Sequence, residues 1–283
     1  MIKPTKIVVK QNDLIDNFIF NATELELQVL NYAVAITNPT WQNKNLVYRI
    51  DIPELVVTFR TKANNMHEQY RKALNRLMKR EISFYDEYGI LTTENIVIQY
   101  KQDLNDNSYL IFKFNEYIST RISKLKGLFT QYDIKHIANF KSRYAFLLYE
   151  YFKMKLQQQT QDNVEYKKEF LISEFKEKLD ILDKYKVFAM LETYVLKPAK
   201  LNINKHSDIY IEYKVKRKAR TPVSIVFKAR YKNKSDKLKS LQPESFELVK
   251  EVETITTPYG STEQKEENKK NSKKNLEALK KMF

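Results

Sequence analysis

The chain contains no cysteine. Disulfide scaffolds and thiolate-held zinc are therefore excluded, and the usage fits a reducing compartment. Glycine is almost as scarce, with Gly89, Gly127 and Gly260 the full set. No two of them can share a phosphate-cradling loop, so neither a P-loop nor a dinucleotide fingerprint is present. His67, His136 and His206 are the only histidines, and they stand apart. There is no His-x-His pair, no HExxH and no His-x-x-Arg cluster, so the metal and nucleophile motifs of nicking enzymes, zinc hydrolases and tyrosine recombinases are missing. No run approaches the ~18 apolar residues of a membrane span. The opening MIKPTKIVVKQNDL lacks the uninterrupted apolar core of a signal peptide. The expectation is a cytoplasmic protein with no cofactor, no metal, no membrane partner and no catalytic centre. Scattered carboxylates keep a metal-dependent nicking enzyme open as the remaining enzymatic reading.

What the chain does have is charge and aromatics. Its 283 residues are 42% hydrophobic and 13% aromatic, enough for two domains with true cores. Lysine and arginine outnumber carboxylates to give a net charge of +15. Residues 232–283 hold 12 lysines against nine carboxylates, so +12 of that charge sits on residues 1–231. An excess this large favours a polyanionic partner.

The stretch 171–230 organises the second half. Leu171, Phe175 and Leu179 recur at helical spacing, predicting a short helix over 171–182. Phe188, Leu191, Val195 and Ala199 form one face of a second helix, and Lys186, Thr193, Lys197 and Lys200 form another. Pro198 either kinks the last turn of that helix or ends it near Lys197. Ile209, Ile211 and Tyr213, then Val223, Ile225 and Phe227, alternate with polar residues around the basic turn KVKRKART. Helix, turn, helix and hairpin is the order of a winged helix, whose second helix fits the DNA major groove while the hairpin follows phosphates. The wing cations are Lys214, Lys216, Arg217, Lys218 and Arg220. A lysine stripe of this kind is also what a solvated helix shows.

The first half repeats the plan. Residues 6–12 open as a strand or extended arm. Thr23 and Glu26 have capping-box spacing before a helix to about Ile36 with Leu27, Leu30 and Val34 on its apolar side. Asn38-Pro39 stops it, and Trp41 reads as a lid over the core. A strand at 47–50 precedes a helix started by Asp51, Pro53 and Glu54. A helix over about 66–80 buries Tyr70, Leu74, Leu77 and Met78 and leaves Arg71, Lys72, Asn75, Arg76, Lys79 and Arg80 outside. That basic surface suits phosphate or base contact, or simple solvation. Strands are expected at 82–85, 96–100 and 109–114, with a turn at Tyr88-Gly89. A short helix within 115–125 ends at Gly127. Ser142 can cap the long helix that runs to Gln159, with Ala145, Leu148, Tyr149 and Phe152 inside. Lys141, Ser142 and Arg143 at its N-terminus can hold a phosphate or act as an ordinary cap. A strand over 166–170 leads back to the organising stretch. The tail is polar, of mixed charge and expected to be disordered, with a possible short terminal helix carrying Leu276, Leu279 and Phe283.

Three collinear segments resemble one family. YKVFAMLETYVLKPAKLNINKHSDIYIEYKVKRKARTPVSIVF, FTQYDIKHIANFKSRYAFLLYEYFK and VVKQNDLIDNFIFNATELELQVLNYAVAI are similar to plasmid replication initiators of the iteron-binding, RepE/Pi-like (Rep_3) type. The resemblance covers residues 6–230; Leu147 stands where many relatives carry Arg, and Ala219 where the wing turn often has Gly. It implies an α+β chain of two tandem winged-helix domains, residues 1–122 for dimerisation and secondary DNA contact and residues 123–231 for main DNA recognition, followed by the tail 232–283. It also implies binding of double-stranded origin repeats as monomer, opening of AT-rich DNA, and recruitment of the host initiator and replicative helicase. Dimers joined through the first domain, with 109–114 as a suggested strand, would repress the protein's own gene. A winged-helix transcriptional regulator is the alternative reading of the same groove chemistry.

Overall fold

A computed structural model of the chain describes residues 6–233 and 236, except 18–21, 41–46, 62–64, 87, 104–105, 124, 126 and 160–164. Trp41 and the tail beyond Asp236, including its expected disorder and terminal helix, lie outside the described residues. The described residues belong to one compact unit. The first half runs β1 (Ile7–Gln11), α1 (Asn12–Asn17), α2 (Glu24–Ala35), β2 (Val47–Asp51), α3 (Ile52–Phe59), α4 (Met66–Leu77), β3 (Glu81–Tyr85), β4 (Leu91–Asn95), β5 (Val97–Lys101), β6 (Tyr109–Phe114) and α5 (Glu116–Ile122). The second runs β7 (Phe129–Asp133), a 3-10 turn (Ile134–His136), α6 (Arg143–Gln157), β8 (Tyr166–Leu171), α7 (Ile172–Lys178), α8 (Phe188–Leu191), a π-helical turn (Glu192–Leu196), α9 (Lys197–His206), β9 (Ile209–Lys218) and β10 (Thr221–Tyr231).

The two halves share an architecture. Antiparallel sheets of order β2-β6-β5 and β8-β10-β9 close the first and second helix clusters in the same way. The first half adds a β3–β4 hairpin. A strand over 96–100 was expected, but Ile96 instead separates β4 from β5, and Gly89 at φ +74 turns β3 into β4. The sequence LTTEN of β4 lacks an apolar alternation, so period-2 reading passes over it. The suggested dimer strand is also corrected: β6 is the middle strand, paired with β2 on one side and β5 on the other. It has no free edge for a second copy.

Local chemistry fixes the helix starts. Thr23 and Glu26 form the reciprocal capping box, with Thr23 N–H to Oε2 at 3.1 Å and Glu26 N–H to Oγ1 at 3.4 Å. Asp51 Oδ1 accepts the Glu54 N–H at 2.9 Å, and Pro53 occupies the first turn of α3. Helix α2 is buried around its whole circumference over 26–34, not only along Leu27, Leu30 and Val34. Its polar residues are answered inside: Tyr70 donates to Gln28 at 2.6 Å and Tyr132 to Asn31 at 3.0 Å.

Helix α7 is shorter than expected. Leu171 ends β8 and is half exposed, while Asp180 at φ +52 stops the helical run. Phe175 and Leu179 still enter a cluster with Phe170 and Phe227. Pro198 neither ends the recognition helix nor breaks it, because the turn before it is π-helical. Lys197 N–H reaches the carbonyl of Glu192, five residues back, and the wider turn makes room for a residue without an N–H. Helix then continues to His206.

Strand β1 pairs antiparallel with β7, from Ile7 opposite Asp133 to Gln11 opposite Phe129. Beside this pair, buried Lys10 and Glu150 meet at 2.6 Å, and Tyr132 also donates to Glu150. Asp208 collects Lys153 at 2.5 Å and Tyr149 at 2.9 Å.

Candidate nucleic-acid interface

In the second winged helix, Leu191, Val195, Ala199 and Ile203 anchor the recognition helix to the core. Thr193 and Lys197 face away from it and are exposed, as are Met190, Tyr194 and Leu201. Lys186 is exposed too, but it lies in the loop before Phe188 and not on the helix. Lys200 turns toward the hairpin, its Nζ 5.9 Å from the centre of the Tyr213 ring. Tyr213 donates to Glu192 at 3.1 Å, and the Arg217 guanidinium lies 6.0 Å from the Phe188 ring. These contacts fix the wing against the helix.

The wing strands run almost to the tip. Lys218 pairs with Thr221, leaving Ala219 and Arg220 as a two-residue turn. Ala219 sits at φ +54, the left-handed region that glycine tolerates best. Strand alternation puts Lys214, Lys216 and Lys218 on one face and Arg217 on the other. Lys216 is held by Glu169 at 2.6 Å, and Arg217 donates to the Arg220 carbonyl at 3.2 Å. Among the described residues Lys186, Lys197, Lys214, Lys218 and Arg220 form no ion pair.

The N-terminus of α6 is more committed than its sequence suggests. Ser142 holds the cap position, but its side chain is buried and makes no capping bond. Arg143 donates to the carbonyls of Ala22 at 3.2 Å and Leu179 at 2.8 Å. Lys141 is exposed; its N–H donates to Asn202 at 2.7 Å and its Nζ lies 3.8 Å from Glu24.

In the first winged helix, α4 turns Met66, Tyr70, Ala73, Leu74 and Leu77 inward. Asn75 and Lys79 are exposed, and Lys72 pairs with Glu68 at 2.6 Å. Arg71 donates to the carbonyl of Asn107. Arg76 and Arg80 each reach the buried Glu26 at 2.6 Å. Burial pushes the Glu26 carboxyl up, but hydrogen bonds from Arg80, Arg76 and Thr23 outweigh it and hold it below its ordinary value.

Sequence reading missed one cationic cluster. Burial first, then Lys205, Lys232, Arg60 and Lys141, push the His206 imidazole at the end of α9 below its ordinary value. These cations come from four places in the chain: the end of α3, the start of α6, the end of α9 and the exit from β10. Lys141 stood among the expected phosphate-holding residues, but its nearness to Arg60, Lys205 and Lys232 comes from the fold, so no local pattern marks the cluster. Among the described residues, no set of His, Asp and Glu is placed to hold a metal ion, and no helix is long and apolar enough to cross a membrane.

Comparison with known proteins matches this architecture. Residues 7–153 match the family described as Initiator Replication protein, WH1, and residues 171–229 match Initiator Rep protein, WH2. A replication initiation protein of Escherichia coli is 23% identical over 254 residues, covering 83% of this chain and 73% of that protein. The crystal structure of Pi initiator protein in complex with iteron DNA has the same fold, with a TM-score of 0.65 at 18% identity over 82% of this chain and 100% of that one. With both of its halves matched in order, this chain belongs to the family of winged-helix replication initiator proteins.

Proposed function

We propose that this protein is a sequence-specific, double-stranded DNA-binding initiator of plasmid replication that acts on repeats at an origin. The observation that carries this reading is the exposed Lys197 on the recognition helix, together with the wing cations Lys214, Lys218 and Arg220, which form no ion pair among the described residues. The helix enters a major groove while Lys186, Lys214, Lys216, Arg217, Lys218 and Arg220 follow phosphates. Of Lys141, Ser142 and Arg143, the exposed Lys141 adds a phosphate contact while buried Ser142 and backbone-bound Arg143 hold the start of α6 in place, and Lys200 supports the wing from the helix. The first winged helix supplies secondary contacts through Arg71, Lys72, Asn75, Arg76 and Lys79. Six phosphate contacts give a log–log salt slope of about −5.

On this reading residues 1–122 carry dimerisation, residues 123–231 carry recognition, and 232–283 form a tail. The bound protein opens AT-rich DNA and recruits the host initiator and replicative helicase in the cytoplasm, without catalysis of its own. A dimer represses the gene from an inverted repeat. Because β6 is interior, its contact falls to an outer strand or to the β3–β4 tip, where Tyr85, Tyr88, Ile90 and Leu91 are exposed. Footprinting of the DNA around the protein's own gene at physiological salt tests the reading. Evenly spaced, same-direction protected repeats beside an AT-rich tract are expected. A single promoter palindrome, with no replication in trans of a plasmid lacking its initiator, would refute the initiator role.

A further inference from the structure

The outward face of the recognition helix has few groups that read purines by hydrogen bonds. Arginine is the usual bidentate partner of guanine, and asparagine or glutamine of adenine. The exposed residues here are Ala189, Met190, Thr193, Tyr194, Lys197 and Leu201, with Lys205 a further exposed cation in the last turn. The two asparagines of α9 are spent on the fold. Asn202 accepts from the Lys141 N–H and donates to the Pro198 carbonyl at 2.8 Å. Asn204 exchanges two bonds with the backbone of Ile211, at 2.9 and 2.8 Å. Glu192 is held by Tyr213.

What remains is largely apolar. Met190 is 46% exposed, Tyr194 57% and Leu201 46%. Tyr194 is positioned in advance, its ring stacked on Tyr185 at 6.1 Å and 23°, with the Tyr185 hydroxyl bonded to Tyr144 at 3.1 Å. Cations ring this apolar face: Lys186 before the helix, Lys197 within it and the wing beyond it. That charge makes the occupant a polyanion with an apolar feature in its groove. In duplex DNA, the feature is the C5-methyl of thymine.

We propose that this face reads thymine methyl groups through Met190, Thr193, Tyr194 and Leu201, with Lys197 supplying the one hydrogen-bonded base contact. The proposal rests on the DNA-binding reading above and deepens it. The bases under the helix are then mainly A·T pairs with thymines facing Met190, Tyr194 and Leu201, and a single G·C pair lies near Lys197.

The test selects binding sites from a random duplex pool with the full-length protein. Thymines in the selected site are then replaced one at a time by deoxyuridine, which removes the methyl and leaves every hydrogen-bonding group. Each critical replacement is expected to weaken binding roughly threefold to fivefold, the transfer value of one buried carbon. The double variant Met190→Ala, Leu201→Ala is expected to bind the thymine site more weakly, to lose most of its sensitivity to deoxyuridine, and to keep a cooperative, wild-type-like transition in thermal melts. That last measurement shows that the variant is folded. A selected site whose affinity is indifferent to deoxyuridine would overturn the proposal while leaving sequence-specific binding intact. A pool with no enriched sequence would overturn specific binding itself, and the proposal with it.

Discussion

Changing Glu26 to glutamine removes one charge from the Glu26–Arg76–Arg80 cluster of the first winged helix and keeps nearly the same volume. The Glu26 side chain is fully buried, with one oxygen on Arg76 and the other on Arg80. Each charged hydrogen bond has a net worth of about 1.5–3 kcal/mol. Arg76 is 44% exposed and Arg80 23%, so both guanidinia keep water after the change, and the full sum must be discounted. Glutamine also keeps one carbonyl oxygen for one arginine or for the Thr23 N–H. About 2–3 kcal/mol of lost stability remains. For a chain of this size that lowers the melting temperature by about 5–10 °C.

The pH dependence follows from the depressed carboxyl. A group whose folded pKa lies below its unfolded value stabilises the protein above the unfolded value, here near 4.5, and loses that contribution as pH falls through the folded value. The gap in melting temperature between wild type and Glu26→Gln should therefore be full at pH 7 and narrow steadily below about pH 4.5. Thermal melts of the full-length proteins from pH 7 to pH 3 read this directly. A gap under about 1 °C at neutral pH, or one that does not shrink in acid, would refute the cluster as a source of stability. If α4 also lies along phosphates, release of Arg76 and Arg80 steepens the salt slope on random DNA by about one unit.

Lys197→Ala should weaken specific DNA more than random DNA and relax preference at one or two base pairs, whereas Arg217→Ala should weaken both alike and reduce the salt slope by about one. Equal losses on both DNAs for both variants would contradict that division, and titration at three salt concentrations decides it. Ala219→Gly relieves a left-handed alanine and should stabilise the protein by up to about 1 kcal/mol, part of the gain being returned through the freer unfolded chain; urea midpoints measure it. Asp208→Asn leaves Lys153, with only 7% of its side chain exposed, without its carboxylate, and should cost about 3 kcal/mol in the same assay.

The architecture was legible because its signals are local. The capping box at Thr23, the Asp51 cap, the apolar stripes of α4 and of the recognition helix, and the alternation of the wing all appear where spacing puts them. The misses have long-range causes. Glu26, Gln28 and Asn31 look like a solvent face until α4 and β7 close over them. Arg76 and Arg143 look like free cations, but their partners lie 50 and 36 residues away in sequence, at Glu26 and Leu179. Strand β4 has no apolar period because it pairs only with β3 in a hairpin of mixed exposure. The π-helical turn follows from Pro198, yet sequence alone left kinking and stopping as the two options, since the choice depends on Val195 and Ala199 both remaining in the core.

The pairing of β1 with β7 has a consequence for synthesis. About 120 residues separate the two partners, so the first strand emerges from the ribosome roughly 6–25 s before the segment that completes it. During that interval Val8 and the carboxylate-seeking Lys10 have no finished environment, since Glu150 arrives later still. The two winged helices are thus tied in time as well as in space. The N-terminal half waits, with an open edge, for the first third of its successor, and a nascent chain stalled before Asp133 is the form of this protein most exposed to wrong strand pairing.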